Sequence, residues 1–276
     1  MLQSLCIAIQ LARETQDLDI VKLFLIDNSP PDFPSNSRLH ALFAQARSSG
    51  IFQAVSVFSG HGNIGYGAAH NKALHTSSSD YHLVLNPDIE LHEQALQRAL
   101  SFMQKHRDAG LLAPAVYDHN DRQQYLCRAY PTVFDLLLRG FAPAFVKRWF
   151  QRRLARYELR DAIDNINNNT ADSALWDVCL ISGCFMLLRR NVVTGTQGFS
   201  PAFFLYFEDY DLSLRGASCA RTVYLPGVII HHFGGFAARK GLRHIFWFMR
   251  SAMKFFNRHG WAWFRSRAMS AKRQTG

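Results

Sequence analysis

Residues 203–207 are five apolar or aromatic side chains that run directly into the carboxylates Glu208, Asp209 and Asp211, followed by Leu212, Leu214 and Arg215. Carboxylates against an apolar wall are costly to desolvate unless a cation, a donor or a proton meets them. Beside a hydroxyl that must lose a proton, such a group acts as a general base. The same acids also suit a helix N-terminus, where they answer the helix dipole. Glu208 and Asp211, three apart, can share one helix face.

Three other stretches carry chemistry. Gly60, Gly62 and Gly65 have the spacing of a dinucleotide fingerprint, with Asp88 about where a ribose-binding acid would stand. A turn that needs positive φ explains the same glycines. Asn86-Pro87-Asp88 can present a carboxylate to Mg2+ or Mn2+ carrying a diphosphate, since these cations often bind through one or two carboxylates plus phosphate oxygens. It also reads as an ordinary Asn-Pro turn. His231 and His232 end an apolar run. Strand alternation sends them to opposite faces, so one of them enters a site or is a hydrogen-bonded core residue.

The elements that must position these residues follow from periodicity. Strand patterns occupy 21–26, 55–58, 81–85, 111–116, 178–188 and 223–230, and helical patterns occupy 1–10, 38–49, 68–76 and 91–106. Strands alternating with helices predict an α/β fold with a mostly parallel sheet flanked by helices. Ligands then sit beyond the carboxyl ends of the strands, where Asp27, residues 62–67 and Asp88 fall. Residues 134–160 break the pattern by interleaving Phe, Leu and Trp149 with seven Arg and Lys. Residues 164–170, with four Asn, predict an exposed loop.

Composition narrows the classes. With 48% hydrophobic and 19% charged residues over 276 positions, the chain can build a large core. Five cysteines without a Cys-x-x-Cys argue for reduced thiols in a cytosolic setting rather than a disulfide framework or a zinc site. No basic start followed by an apolar run opens the chain, so no secretory signal is expected. The net charge of +10 lies in residues 236–276, which hold ten Lys and Arg and no acid. Such a tail seeks anionic lipid, nucleic acid or an acidic substrate.

In order and spacing the motifs resemble those of GT-A-fold, inverting glycosyltransferases of family two, in the branch of bacterial rhamnosyltransferases. The matching residues are Asp27-Asn28-Ser29, Gly62-Asn63 with Gly65-Tyr66-Gly67 and Asn71, Asn86-Pro87-Asp88, Ser182-Gly183, Gly198-Phe199, Glu208-Asp209-Tyr210-Asp211, and His231-His232 before Gly234-Gly235. They span about residues 1 to 260. The resemblance implies a Rossmann-like GT-A sheet and transfer of a sugar, rhamnose, from a nucleotide-diphosphate donor with inversion, in cell-surface polysaccharide synthesis. It implies that Asp27 meets the base, and that Asn63, Gly65, Asn71 and Asn86 line the nucleotide-sugar pocket. Asp88 and His231 would hold Mg2+ or Mn2+, with His232 the alternate. Asp209 would be the catalytic base, with Glu208 beside it. The family ordinarily begins with a strand, whereas this chain begins within the first helix, so a domain without that strand is expected.

The resemblance and the charge together divide the chain into a transferase domain, 1–235, and a basic amphipathic helical tail, 236–276. In the tail Leu242, Ile245, Phe246, Met249, Ala252, Met253 and Phe256 recur at i, i+3, i+4, i+7 spacing, with Arg243, Arg250, Lys254 and Arg258 off that stripe. Expected partners are a nucleotide-diphosphate sugar, a saccharide or lipid-linked acceptor and an anionic membrane surface, with no nucleic acid. The expected location is the cytoplasm, peripheral at the inner face of the cell membrane. A helix packed on the sheet with a solvated basic face is the other reading of the tail. The other reading of the whole is a catalytically impaired remnant that binds lipid or nucleic acid through its basic residues.

Overall fold

The computed structural model describes residues 1–15, 18–30, 36–169, 173–234 and 241–266. Helix α1 (Leu2–Thr15) buries Leu2, Leu5, Ala8, Ile9 and Ala12, the face that helical periodicity predicts. Strand β1 (Lys22–Ile26) pairs in parallel with β2 (Ala54–Phe58), and α2 (Asn36–Ser48) crosses between them. The glycine loop leads into α3 (Tyr66–Thr76). Then come β3 (Tyr81–Leu85), β4 (Ile89–Leu91), α4 (Ala95–Lys105) and β5 (Ala109–Tyr117). Short helices follow: α5 (Val133–Phe141), α6 (Ala144–Trp149), α7 (Gln151–Tyr157) and α8 (Arg160–Asn167). The chain closes with β6 (Leu175–Trp176), β7 (Phe185–Arg189), α9 (Arg190–Thr196), α10 (Glu208–Gly216), β8 (Arg221–His232) and α11 (Leu242–His259).

The main sheet runs β3-β7-β5-β8-β4, with β6 on β8. Among the described residues, β1 and β2 form a sheet of their own. The α/β architecture agrees with the sequence pattern, but the expected mostly parallel pairing does not hold for the main sheet. There β5 and β8 are parallel, while the β3–β7, β5–β7, β4–β8 and β6–β8 pairs are antiparallel. Helix–strand alternation fixes direction only where consecutive strands are neighbours. Here β7 inserts between β3 and β5, which are earlier in the chain, so alternation carries no information about it. Pro114 lies inside β5, and the register with β8 jumps beside it, from Pro114–Leu225 to Ala115–Ile229. A proline cannot donate to the ladder, and the irregularity absorbs that defect.

Two shorter expectations also change. The loop expected at 164–170 starts as helix, because Asn167 is tied by Tyr224 Oη at 2.7 Å and by Gln123 Oε1 at 2.8 Å. Tertiary bonds override the weak helix preference of Asn. The apolar run at 178–188 becomes strand only from Phe185, and the part before it is a buried segment bridged to Arg128 through Leu180.

Helix α11 packs inward through Ala252, Phe255 and Phe256, which share a cluster with Tyr130, Phe203 and Phe207. Ile245, Phe246, Met249 and Met253 face outward. The basic residues 239, 240, 267, 272 and 273 of the expected tail lie outside the described residues. No helix among the described residues is long and apolar enough to cross a membrane.

Candidate active site

Helix α10 starts under strain. Tyr206 and Phe207 both have positive φ, 69° and 66°, a region that bulky side chains rarely enter. Such conformations persist only where packing over-determines them. Phe207 is held by Phe248 and Phe255 at 5.2 Å between ring centroids, and Tyr206 Oη by His244 Nδ1 at 2.9 Å. The double left-handed step delivers Glu208 and Asp209 to the head of the helix. Glu208 is buried and Asp209 half-buried, so neither is only a solvated partner of the helix dipole.

Asp209 is gripped by backbone. Its Oδ2 accepts the N–H of Gly183 and its Oδ1 that of Tyr210, each at 2.9 Å. Burial raises the Asp209 pKa, against the pull of those N–H groups and of Arg128. Burial, and then the charge of Asp209, push Glu208 up to about 8. Glu208 Oε2 is buried without a hydrogen-bond partner among the described residues. Glu208 therefore carries a proton at neutral pH, while Asp209 keeps two backbone N–H groups that favour its charged form.

Tyr66 links the glycine loop to this pair. Its hydroxyl shares one proton between Gly183 O at 2.6 Å and Asn86 Oδ1 at 3.0 Å. Burial raises the Tyr66 pKa well above the phenol value, and the charges of Asp209, Glu208 and Asp88 add to it. Gly65, at φ 92°, lies so close to Phe204 that a Cβ would collide with its carbonyl oxygen. Tyr66 N donates to that same oxygen at 3.0 Å.

Asp88 faces His232. The Asp88 Oδ2 to His232 Nε2 distance is 3.5 Å, and Asp88 Oδ1 is buried without a hydrogen-bond partner among the described residues. Gln124 sets the histidine tautomer. Its Nε2 donates to His232 O at 3.1 Å, so its Oε1 is left to accept from His232 Nδ1, also at 3.1 Å. The proton is then on Nδ1, and the Nε2 lone pair points at a carboxylate. Burial lowers the His232 pKa, against the charge of Asp88, and keeps the ring neutral. Two acceptors face one another with no proton between them, an arrangement that a cation satisfies. Among the described residues no group of three or more His, Cys, Asp or Glu gathers. The donor set is one carboxylate and one imidazole, which fits a cation that keeps waters and phosphate oxygens as its other ligands. Gly234 completes the cradle, because a Cβ there would collide with Asp88 Oδ2.

The structure thus brings Glu208, Asp209, Asn86, Asp88 and Gly65 together. Asn63 joins them at the far end of the loop, where its Oδ1 accepts from Asn28 Nδ2 and Gly65 N, both at 3.1 Å. Asn28 Oδ1 in turn accepts Ile64 N at 3.0 Å, which fastens the end of β1, and Asp27 with it, to the loop. Two residues stand elsewhere. His231 bonds Asp121 at 2.9 Å instead of Asp88, because strand alternation in β8 turns it to the other face and gives the site to His232. Asn71 is bound both ways to the backbone of Phe199, Nδ2 to O and Oδ1 to N at 2.8 Å, so its amide pins a loop and is not left to line a pocket. Sequence reasoning gave no role to Tyr66, Gln124 or Asn28. Tyr66 and Asn28 sat within noted motifs, whereas nothing local marked Gln124.

A sequence model of Glycosyl transferase family 2 matches residues 14–194. The chain is 24% identical over 196 residues to N-acetylglucosaminyl-diphospho-decaprenol L-rhamnosyltransferase of Mycobacterium tuberculosis, covering 66% of this chain and 60% of that protein. It therefore spans about 60% of the length of that relative. It is also 24% identical over 205 residues to rhamnosyltransferase WbbL of Escherichia coli, covering 70% of this chain and 71% of that protein. Among solved structures, GalNAc-T7 with UDP, GalNAc and Mn2+ superposes with a TM-score of 0.52 at 12% identity, over 77% of this chain and 38% of that one. TarS 1–349 of S. aureus in complex with UDP superposes at 0.51 with 14% identity, over 94% and 66%. At these identities the likeness concerns the fold.

Proposed function

The chain belongs to Glycosyl transferase family 2, and from that premise we propose that it moves a sugar from a nucleotide-diphosphate donor to an acceptor hydroxyl with inversion. The observation that carries the reading is Asp209, a half-buried carboxylate held by Gly183 and Tyr210 N–H groups, with Tyr66 lying between it and the Asp88–His232 pair. Asp209 takes the acceptor proton as the oxygen attacks the anomeric carbon, and direct displacement from the opposite face inverts that centre. Protonated Glu208 adds no second charge to compete for that proton. Asp88 and His232 would hold Mg2+ or Mn2+, which when bound neutralises charge on a leaving diphosphate. Asn63, Asn28 and Asp27 hold the end of the cleft where the nucleoside would lie. Rhamnose as the sugar is supported by the names of both curated relatives, and a lipid-linked acceptor by that of the Mycobacterium tuberculosis relative. Such an acceptor places the reaction in polysaccharide synthesis, at the anionic inner face of the membrane. We assign the transfer site to residues 1–235, and to residues 236–276 the bracing of α10 and contact with that membrane.

Asp88→Ala tests the cation. It should weaken nucleotide-diphosphate binding at least ~10-fold in Mn2+ or Mg2+, the low end of what losing even an outer partner of a metal costs. In chelator, parent and variant should bind alike by titration calorimetry. Equal weakening in both conditions would show that Asp88 acts without metal.

A further inference from the structure

Helix α6 buries none of its side chains. It carries Phe145, Lys147, Arg148 and Trp149, and Trp149 is 79% exposed and Phe145 63%. Phe141 and Leu137 on α5, at 50% and 46%, continue the same spacing of four residues back along the chain. Their neighbours Leu136 and Leu138 are buried, so α5 turns one face to the core and another outward. The fold thus leaves four large apolar side chains in succession without cover, more than the scattered exposure usual on a surface.

The charge around them is of one sign. Residues 136–157 contain six Arg and Lys and no acid. Lys147, Arg148, Arg152 and Arg156 form no ion pair among the described residues. The platform is also fixed. Phe134 packs on Phe150 at 5.3 Å and on Phe264 at 5.6 Å, and Arg153 pairs with Asp135 at 2.6 Å while donating to Phe264 O at 2.7 Å. Trp263 and Phe264, exposed beyond α11, are joined to α5 by the bonds Val133 N to Ala262 O and Phe134 N to Trp263 O. Apolar tips within a cationic rim match a surface with anionic headgroups above an acyl interior. Leu137 and Phe141 lie on the same face, and an aliphatic group such as Leu137 gains from acyl chains but offers no ring for a base to stack on, which favours lipid over single-stranded nucleic acid.

We propose that α5, α6 and the segment after α11 form a docking surface for an anionic lipid bilayer, with Phe141, Phe145 and Trp149 entering the headgroup region. The surface lies one helix from the proposed reaction site: α7 packs on α5 and α6, and its Tyr157 lies 3.2 Å, hydroxyl to hydroxyl, from Tyr210, the residue after Asp209. Docking here would present Asp209 to an acceptor carried by lipid, a consequence that rests on the transferase reading above.

The test is sedimentation of the full chain with vesicles of phosphatidylcholine alone or mixed with phosphatidylglycerol. The parent should bind the mixed vesicles and release in high salt. Phe145→Ser with Trp149→Ser should weaken binding ~10-fold or more, given the apolar area removed from the interface. Lys147→Glu with Arg148→Glu should weaken it further, since each cation near an anionic leaflet contributes roughly five-fold. Since α6 buries nothing, both variants should keep the parental melting temperature. Parental binding by both variants, equal binding to the two vesicle types, or binding of single-stranded RNA in place of vesicles would overturn the proposal. Nucleotide-diphosphate binding is measured alongside. Its absence with vesicle binding intact would count against the transferase reading and leave the docking surface supported.

Discussion

Asp209→Asn lowers the rate of sugar transfer ~10²-fold or more, the usual contribution of a positioned general base, and leaves nucleotide-diphosphate affinity nearly unchanged. The substitution keeps the size of a side chain that meets Gly183 and Tyr210 through backbone N–H groups. It removes the charge that accepts a proton, and with it one of the two acceptors, since an amide nitrogen cannot accept from a backbone N–H. Glu208→Gln is the matching control, because it imitates the protonated state that burial imposes on Glu208. At pH 7 it should stay within a few-fold of the parent, well short of the loss at Asp209. The two also separate in stability. A carboxyl whose folded pKa is raised to about 8 binds a proton that the unfolded chain has already released above about 4.3. Stability therefore falls as pH rises between those values, and Glu208→Gln should flatten that slope in urea titrations at successive pH. Near-parental turnover of Asp209→Asn would remove Asp209 from the mechanism.

The largest loss of stability is expected at Asp211, two residues further on. Its carboxylate is wholly inaccessible and accepts from Arg215 Nε at 2.7 Å and from Arg258 Nη1 and His259 Nε2 at 2.9 Å. Burial alone would raise its pKa. The His259 hydrogen bond and the Arg215 and Arg258 charges outweigh burial and lower it. Asp211→Ala leaves Arg215, Arg258 and His259 facing a void, and removing the buried partner of an ionic cluster costs about 3–5 kcal/mol. Against a total of about 5–15 kcal/mol that is a large share. Since the folded pKa is depressed, the contribution is present above the ordinary carboxylate pKa near 3.9 and fades as pH falls through the folded value. The deficit of the variant in a denaturant titration should accordingly be full at pH 7 and shrink toward pH 3. A variant that unfolds at the parental midpoint at pH 7 would show that α11 is held by its aromatic face alone.

Legibility in the sequence tracked how local each cause was. Asp27, Asp88 and the glycine loop were placed at strand ends because a strand followed by a turn is a short-range signal. Periodicity could not sort the carboxylates at 208–211, since all three suit a helix head, and only the family resemblance singled out Asp209. Asp211 became structural only when α11, more than forty residues on, brought Arg258 and His259 to it. His231 and His232 were tied by alternation, which says that they part but not which one meets Asp88. That choice depends on the pairing of β8 with β4, a long-range fact. The mixed strand directions were hidden for the same reason. Tyr66 and Gln124 each act through two hydrogen bonds to distant backbone and side chains, and no periodicity records those.

The pairing of β1 with β2 apart from the main sheet gives the cleft two jaws of unequal stiffness. One jaw, with Asp209, Asn86 and His232, is built on a six-stranded sheet and a buried ionic anchor. The other, with Asp27, is a ribbon of two five-residue strands of which only Leu25 is buried, so it is anchored more lightly than the sheet. Part of the energy of gripping a nucleoside would then go into ordering that ribbon, so apparent affinity would be lower than the contacts alone would give. The clamp of Asn28 on Asn63 ties the ribbon to the glycine loop, which Tyr66 N in turn holds to Phe204 O of the stiff jaw. A ligand that engages the stiff jaw first would find the loose one easier to close, which orders the two halves of a donor in time: diphosphate before base.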